Sequence, residues 1–245
     1  MDYARLKARQ RAERSGHPPN LAIRVHRALS WLDRAEQAER LPKPTKERSG
    51  SRGVRKERCD DLDARFLFLW ISFNAAYATE IDETHQLSQQ ATFRRFIGKL
   101  VDLDRDGLIA NLVWSEFPGS IRVLLDNPYV CAEFWAWRNG RITEQQWLRA
   151  FAAARRAAKA ALARHDTARV LGIVMSRIYT LRNQLIHGGA TWEGDVNRDQ
   201  VRDCTRLMGR LVPIVIEIML DHPGTLWGDA CYPVVDLPPG PPPAA

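Results

Sequence analysis

The feature that most constrains this chain is a run of apolar residues between positions 168 and 186 that recurs at helical spacing and ends in two glycines. Its members are Val170, Ile173, Val174, Ile178, Leu181 and Leu185. This spacing predicts an amphipathic helix, and the pair Gly188-Gly189 predicts its C-terminus. A helix with one apolar face must bury that face against other elements. The rest of the sequence supplies those elements as further helices.

Helical patterning continues along most of the chain, and no segment shows the strict alternation typical of strands. Thr143 followed by Gln146 predicts a capped helix start, and Pro213 predicts a kink in the last helix. The sequence therefore predicts an all-α fold. Long helices are expected at 21–40, 60–79, 93–101, 144–164, 168–186 and 199–220, and shorter ones at 107–115, 118–126 and 129–138.

Charge and proline content divide the chain into three parts. Residues 1–59 form a basic N-terminal segment of helices and a linker, residues 60–225 a helical domain, and residues 226–245 a proline-rich tail. Residues 1–60 hold 16 Lys/Arg against 8 Asp/Glu, whereas the rest holds 20 against 21. A basic segment favours polyanions such as RNA, DNA or anionic lipid, although a solvated arginine-rich helix explains the charge equally well.

Several function classes are disfavoured by what the sequence lacks. The four cysteines are far apart without metal-ligand spacing, which argues against a zinc site. We also expect no other metal and no cofactor. The alternating Asp102, Asp104 and Asp106 lack the glutamate of a calcium loop and predict a solvated turn. No apolar run approaches a membrane span of about 20 residues, and the N-terminus has no signal-peptide core. We therefore expect a cytoplasmic protein without membrane contact.

The chemistry of the chain is concentrated in the segment RNQLIHGG, where Arg182, Asn183 and His187 are brought together. Asn183 and His187 are four positions apart and share a helix face, with Arg182 on its flank. Histidine moves protons near neutral pH, and arginine binds phosphate oxygens. This set suffices in kind for RNA cleavage through the 2′-hydroxyl, and a two-fold dimer would supply a second histidine. The alternative is that Arg182 and His187 only stabilise the helix end.

The segment RNQLIHGG resembles the signature of the HEPN superfamily, in which an arginine and a polar residue precede a histidine. The stretch from Phe66 to Tyr77, FLFLWISFNAAY, is similar to the early helix of the larger bacterial HEPN proteins, including the Apea-like group. The resemblance covers residues 60–220.

The resemblance implies a HEPN-like helical bundle that forms a homodimer, with the two motifs facing each other across a cleft. It implies a metal-independent endoribonuclease of a bacterial defence or toxin–antitoxin system, with RNA as substrate and an antitoxin or defence-system protein as partner. Arg182 and His187 match the catalytic pair, and Asn183 matches their polar companion. Gly189 departs from the tyrosine that some HEPN toxins carry as a modification target. The alternatives are a non-catalytic module that binds RNA, nucleotide or a partner protein, and a helical scaffold.

Three further residues are candidates for substrate binding. Asn74 and Tyr77 lie on the aromatic helix and are expected to line the cleft, and Tyr179 is four positions before Asn183. Asn74 is notable because a polar side chain within an apolar helix requires a partner. Arg177 is set aside because it lies too far round its helix.

Overall fold

The computed structural model describes residues 2–39, 61–78, 89–195, 197–228 and 230. The predicted linker at 41–59 lies outside these ranges, as do most of the proline-rich tail, Cys59 and Cys231. The described residues fold into helices, and no β-strand occurs among them, so the chain is all-α. The α-helices are α1 (Tyr3–Glu13), α2 (Pro19–Glu39), α3 (Leu62–Tyr77), α4 (Gln89–Leu103), α5 (Leu108–Asn111), α6 (Pro118–Asp126), α7 (Ala132–Arg138), α8 (Glu144–Ala163), α9 (Thr167–Ile186) and α10 (Arg198–Asp221).

The local signals in the sequence account for several helix boundaries. Thr143 and Gln146 form the predicted capping box of α8, with bonds of 3.2 Å from Gln146 N to Thr143 Oγ1 and 2.8 Å from Thr143 N to Gln146 Oε1. The Asp61 carboxylate accepts a bond of 3.0 Å from Ala64 N and caps α3. Helix α10 runs through Pro213.

The helices share one continuous hydrophobic core. Helices α2 and α10 pack against α3, while α4, α6 and α8 pack against α9. The basic N-terminal segment contributes to this same core, because Leu6, Leu21 and Val25 are fully buried in it. The core is therefore continuous from the N-terminal helices into the helices that follow residue 60.

Part of the N-terminal positive charge is paired within the fold. Arg5 lies 3.0 Å and Arg9 lies 3.5 Å from the carboxylate of Glu217 on α10, and Arg9 also lies 2.7 Å from Asp221. These pairs draw α1 onto α10. They also reduce the number of cations that this part of the chain presents to a polyanion.

No helix in the described part of the chain has the length and apolar character needed to cross a membrane.

Candidate active site

Helix α9 ends as its double glycine predicts. His187 is the capping residue, and Gly188 follows in the left-handed conformation with φ of 70°. Gly188 N donates to Leu185 O at 3.3 Å, and Gly189 N donates to Gln184 O at 2.7 Å. This paired closure satisfies two terminal carbonyls and fixes the backbone on which His187 is carried. The imidazole is thus exposed at a helix end whose dipole favours a cation.

Replacing Gly188 tests this closure. Gly188→Ala is expected to lower the free energy of unfolding by about 1–2 kcal/mol, because a Cβ disfavours the left-handed conformation even where space is open. The matched control is Gly98→Ala within α4, where an added Cβ also meets nothing within 4 Å. That variant should raise the free energy of unfolding by about 0.5–1 kcal/mol, because alanine favours a helix interior more than glycine does. Urea denaturation of both variants measures the difference, and equal effects would contradict the assigned role of Gly188.

A cavity of about 630 Å³ lies beside this helix end. Along α9 its lining extends from Ile173 to His187, which is about 21 Å of helix axis. From α8 the lining includes only the small side chains of Ala154 and Ala157. The remaining described lining residues are Tyr77, Phe93, Arg94, Ala132, Glu133, Trp135, Ala136, Asn139, Arg141, Met175, Ser176, Arg177, Tyr179, Thr180, Asn183, Gln184 and Gly189.

Four of the six predicted site residues line this cavity, and two do not. Asn183 and His187 lie at its α9 side, together with Tyr179 and Tyr77. Arg182 and Asn74 are both partly buried and are outside the lining. The cavity therefore contacts the side chains of Asn183 and His187 but not that of Arg182.

Arg182 is held against its own helix. Its Nη1 donates to Asn183 Oδ1 at 2.9 Å, and its guanidinium carbon lies 6.0 Å from the centre of the Tyr179 ring. The Arg182 Nε has no hydrogen-bond partner within the described part of the structure. The bond from Nη1 connects Arg182 to Asn183, whose side chain lines the cavity. A small movement of Arg182 would therefore bring its guanidinium to an anion bound near Asn183.

The two tyrosines are packed into the aromatic part of the core. The Tyr77 ring lies 5.1 Å from that of Phe73 and 5.2 Å from that of Phe93. Tyr179 packs against Trp70 with 5.8 Å between ring centres. Both rings therefore form fixed walls of the cavity, and they contribute shape and a flat apolar surface.

Arg177 lines the cavity, whereas Arg182 does not, although the position of Arg177 on the helix disfavours it as a site residue. The residue is only 6% exposed, and its guanidinium carbon lies 5.8 Å from the centre of the Phe151 ring. Arg177 and Gln184 are seven positions apart and therefore share a helix face, which is the signal that could have found Arg177.

Comparisons with family models, curated proteins and solved structures find no significant match to this chain. The residues around the cavity are therefore the basis for a functional proposal.

A buried thiol lies beside Arg177. The Cys131 Sγ donates to Glu133 Oε2 at 2.8 Å. Burial, together with this bond to a carboxylate, raises the pKa of the Cys131 thiol, whereas the nearby Arg177 opposes the rise. Cys131 is consequently neutral at pH 7 and does not balance the charge of Arg177.

The loop after His187 is fastened at two points. Gln184 donates to Tyr129 O at 2.6 Å and accepts from Asn197 Nδ2 at 2.9 Å, which joins the α7 side of the cavity to the loop. At the start of α3, Asp63 accepts two bonds from Arg198 Nη1 at 2.8 and 2.9 Å, and Glu193 N donates to it at 2.9 Å. These bonds hold the loop between α9 and α10 against its neighbours.

The acidic turn before α5 has a structural role. The two carboxylate oxygens of Asp104 accept bonds of 2.8 Å from Leu108 N and 2.7 Å from Ile109 N. Asp104 therefore caps α5, as its place in a turn before a helix allows.

Proposed function

We propose that this protein is a metal-independent endoribonuclease of a bacterial defence or toxin–antitoxin system that acts as a HEPN-like homodimer. The observation that carries the proposal is the placement of Asn183 and His187 on one cavity, with Arg182 hydrogen-bonded to Asn183. An exposed imidazole, an amide and a guanidinium at one helix end provide the groups that phosphodiester cleavage requires.

In the proposed reaction, the 2′-oxygen of a ribose attacks the adjacent phosphorus as its proton is removed. The bond from phosphorus to the 5′-oxygen of the next nucleotide breaks, and that oxygen takes up a proton. The products are a 2′,3′-cyclic phosphate and a 5′-hydroxyl. His187 moves one of these protons, Arg182 neutralises charge on the phosphate, and Asn183 orients the two.

A second copy of the chain would supply the other histidine. Support for such a dimer comes from apolar surface next to the site, because Ile186 is 47% and Trp192 is 67% exposed. Both residues flank His187 in sequence, so a two-fold contact through them would bring two helix ends together.

The oligomeric state gives a prediction about Trp192. The wild-type chain is expected to have twice the 27.9 kDa mass of one chain by light scattering, and Trp192→Glu should shift it to the single-chain mass at micromolar concentration. The exposed Leu226→Glu is the matched control, since its side chain lies outside the segment that carries His187. A monomeric wild type, or a dimer that survives Trp192→Glu, would argue against this contact.

The partner protein of such a system would inhibit the chain without a tyrosine two positions after His187. Gly189 has no side chain, and a Cβ at this position would lie 3.1 Å from Gln184 O. Inhibition by modification of a tyrosine two positions after the histidine therefore has no acceptor here.

A non-catalytic binding module is the second candidate, and the position of Arg182 favours it. Because this guanidinium is bonded to Asn183 and lies over Tyr179, it does not point to the cavity in which a phosphate would bind. Such a protein would bind RNA, nucleotide or a protein partner and leave RNA intact.

Parallel assays of binding and cleavage separate the two candidates. The wild-type chain is incubated with a mixed RNA pool in EDTA, and bound and cut RNA are resolved on native and denaturing gels. The ribonuclease proposal predicts fragments, and saturable binding with full-length RNA recovered would instead support the binding module.

A further inference from the structure

Arg177 is the most buried cation of the cavity, and the protein provides little to balance it. Its Nε has no hydrogen-bond partner among the described residues, and none of the ion pairs found within those residues includes Arg177. The adjacent Cys131 thiol interacts with the guanidinium, but its raised pKa keeps the thiol neutral, so it supplies no negative charge. A buried guanidinium without an anionic partner is costly, and an anion bound in the cavity would remove that cost.

The charges that face the cavity from the surrounding elements are mainly positive. Arg94 of α4 and Arg141, which follows α7, join Arg177 in the described lining, against the single carboxylate of Glu133. Glu133 already accepts the hydrogen bond of Cys131. The excess of cations favours a ligand with at least one negative charge.

The shape of the cavity indicates an organic ligand instead of an inorganic ion. Its volume of about 630 Å³ lies within the range of small-molecule sites, about 300–1,000 Å³. The walls include the rings of Phe93, Tyr77 and Trp135, and the indole of Trp135 is fixed by a bond of 2.7 Å from Nε1 to Tyr129 O. Fixed aromatic walls favour a flat apolar body.

We propose that this cavity is a binding site for a small organic anion with an aromatic body, whose negatively charged group is bound by Arg177. Arg177 and His187 line the same cavity, but Arg177 lies ten positions earlier, about 15 Å along the α9 axis, so anion binding at Arg177 does not require proton transfer by His187. The proposal therefore does not depend on RNA cleavage. The aromatic body packs against Phe93 and Trp135, and the carboxylate or phosphate is bound by the Arg177 guanidinium, whose Nε has no partner among the described residues.

Matched acidic and neutral ligands test the proposal by isothermal titration calorimetry of the full chain. The pairs are 5′-AMP with adenosine and indole-3-acetate with indole-3-acetamide, which separate a phosphate from a carboxylate group. At least one acid is expected to bind about tenfold or more tightly than its neutral partner, the effect of a single charge-assisted hydrogen bond. Arg177→Met should abolish this preference, whereas Arg169→Met, an exposed arginine of the same helix, should retain it.

A second variant keeps the test valid if Arg177→Met fails to fold. Ala157→Phe fills the cavity from α8 while Arg177 is retained, and it should weaken the preferred acid about tenfold or more. The proposal is overturned if neither acid binds, if acid and neutral ligand bind equally, or if the binding survives in Ala157→Phe. Loss of RNA cleavage with intact anion binding would overturn only the ribonuclease proposal, and the reverse result only this one.

Discussion

His187→Ala is expected to lower the rate of RNA cleavage by a factor of about 10²–10⁴, the usual contribution of a general acid or base. The ring is exposed and follows the last turn of α9, so its removal leaves the core and the glycine closure intact. The fold should therefore be retained, which circular dichroism and thermal unfolding can confirm.

The matched control for this variant is His26→Ala. His26 is an exposed histidine on α2 that does not line the cavity, so this variant should cleave RNA at the wild-type rate. Initial rates on one fluorescent oligonucleotide compare the three proteins. A loss of less than tenfold in His187→Ala, or an equal loss in His26→Ala, would remove His187 from the reaction.

Asp63→Ala is expected to lower the free energy of unfolding strongly. The Asp63 side chain is 10% and that of Arg198 is 13% exposed, and Glu193 N bonds the same carboxylate. Removing one partner of a buried ion pair leaves the other charge uncompensated, which costs about 3–5 kcal/mol. Because Asp63 connects α3 to the start of α10 and to the loop after His187, the loop should also become more sensitive to proteolysis.

Chemical denaturation measures this loss against a matched aspartate. Asp102→Ala removes an exposed carboxylate from α4 and should change the free energy of unfolding by no more than about 0.5 kcal/mol. A loss below about 1 kcal/mol in Asp63→Ala would mean that the ion pair does not support the loop. Arg198→Met should reproduce much of the Asp63→Ala effect, because it leaves the Asp63 carboxylate buried without its cation.

The fold was largely predictable because its signals are local. The capping box of Thr143 and Gln146 depends on residues three positions apart, and the end of α9 depends on Gly188 and Gly189 directly after the last turn. The apolar stripes likewise fix which helix faces are buried. The placement of α1 on α10 was not predictable, because the pairs of Arg5 and Arg9 join positions more than 200 residues apart.

The candidate site was predictable only in part, for a related reason. The shared face of Asn183 and His187 follows from helix periodicity, and both do line the cavity. The cavity itself depends on tertiary packing, because residues of α4, α7, α8 and α9 meet in its lining. Spacing within α9 shows that Arg177 shares a face with Gln184, but only the packing shows that this face borders a cavity and that Arg182 lies outside its lining.

The proposed function depends on RNA cleavage through the 2′-hydroxyl with His187 moving a proton. The most direct measurement is mass spectrometry of the products from one oligoribonucleotide incubated in EDTA with wild type or His187→Ala, beside a 2′-O-methyl copy of the same sequence. We expect 2′,3′-cyclic phosphate and 5′-hydroxyl ends from wild type alone, with the methylated copy uncut. No cleavage by wild type, equal cleavage by His187→Ala, or cutting of the methylated copy would contradict the proposed reaction.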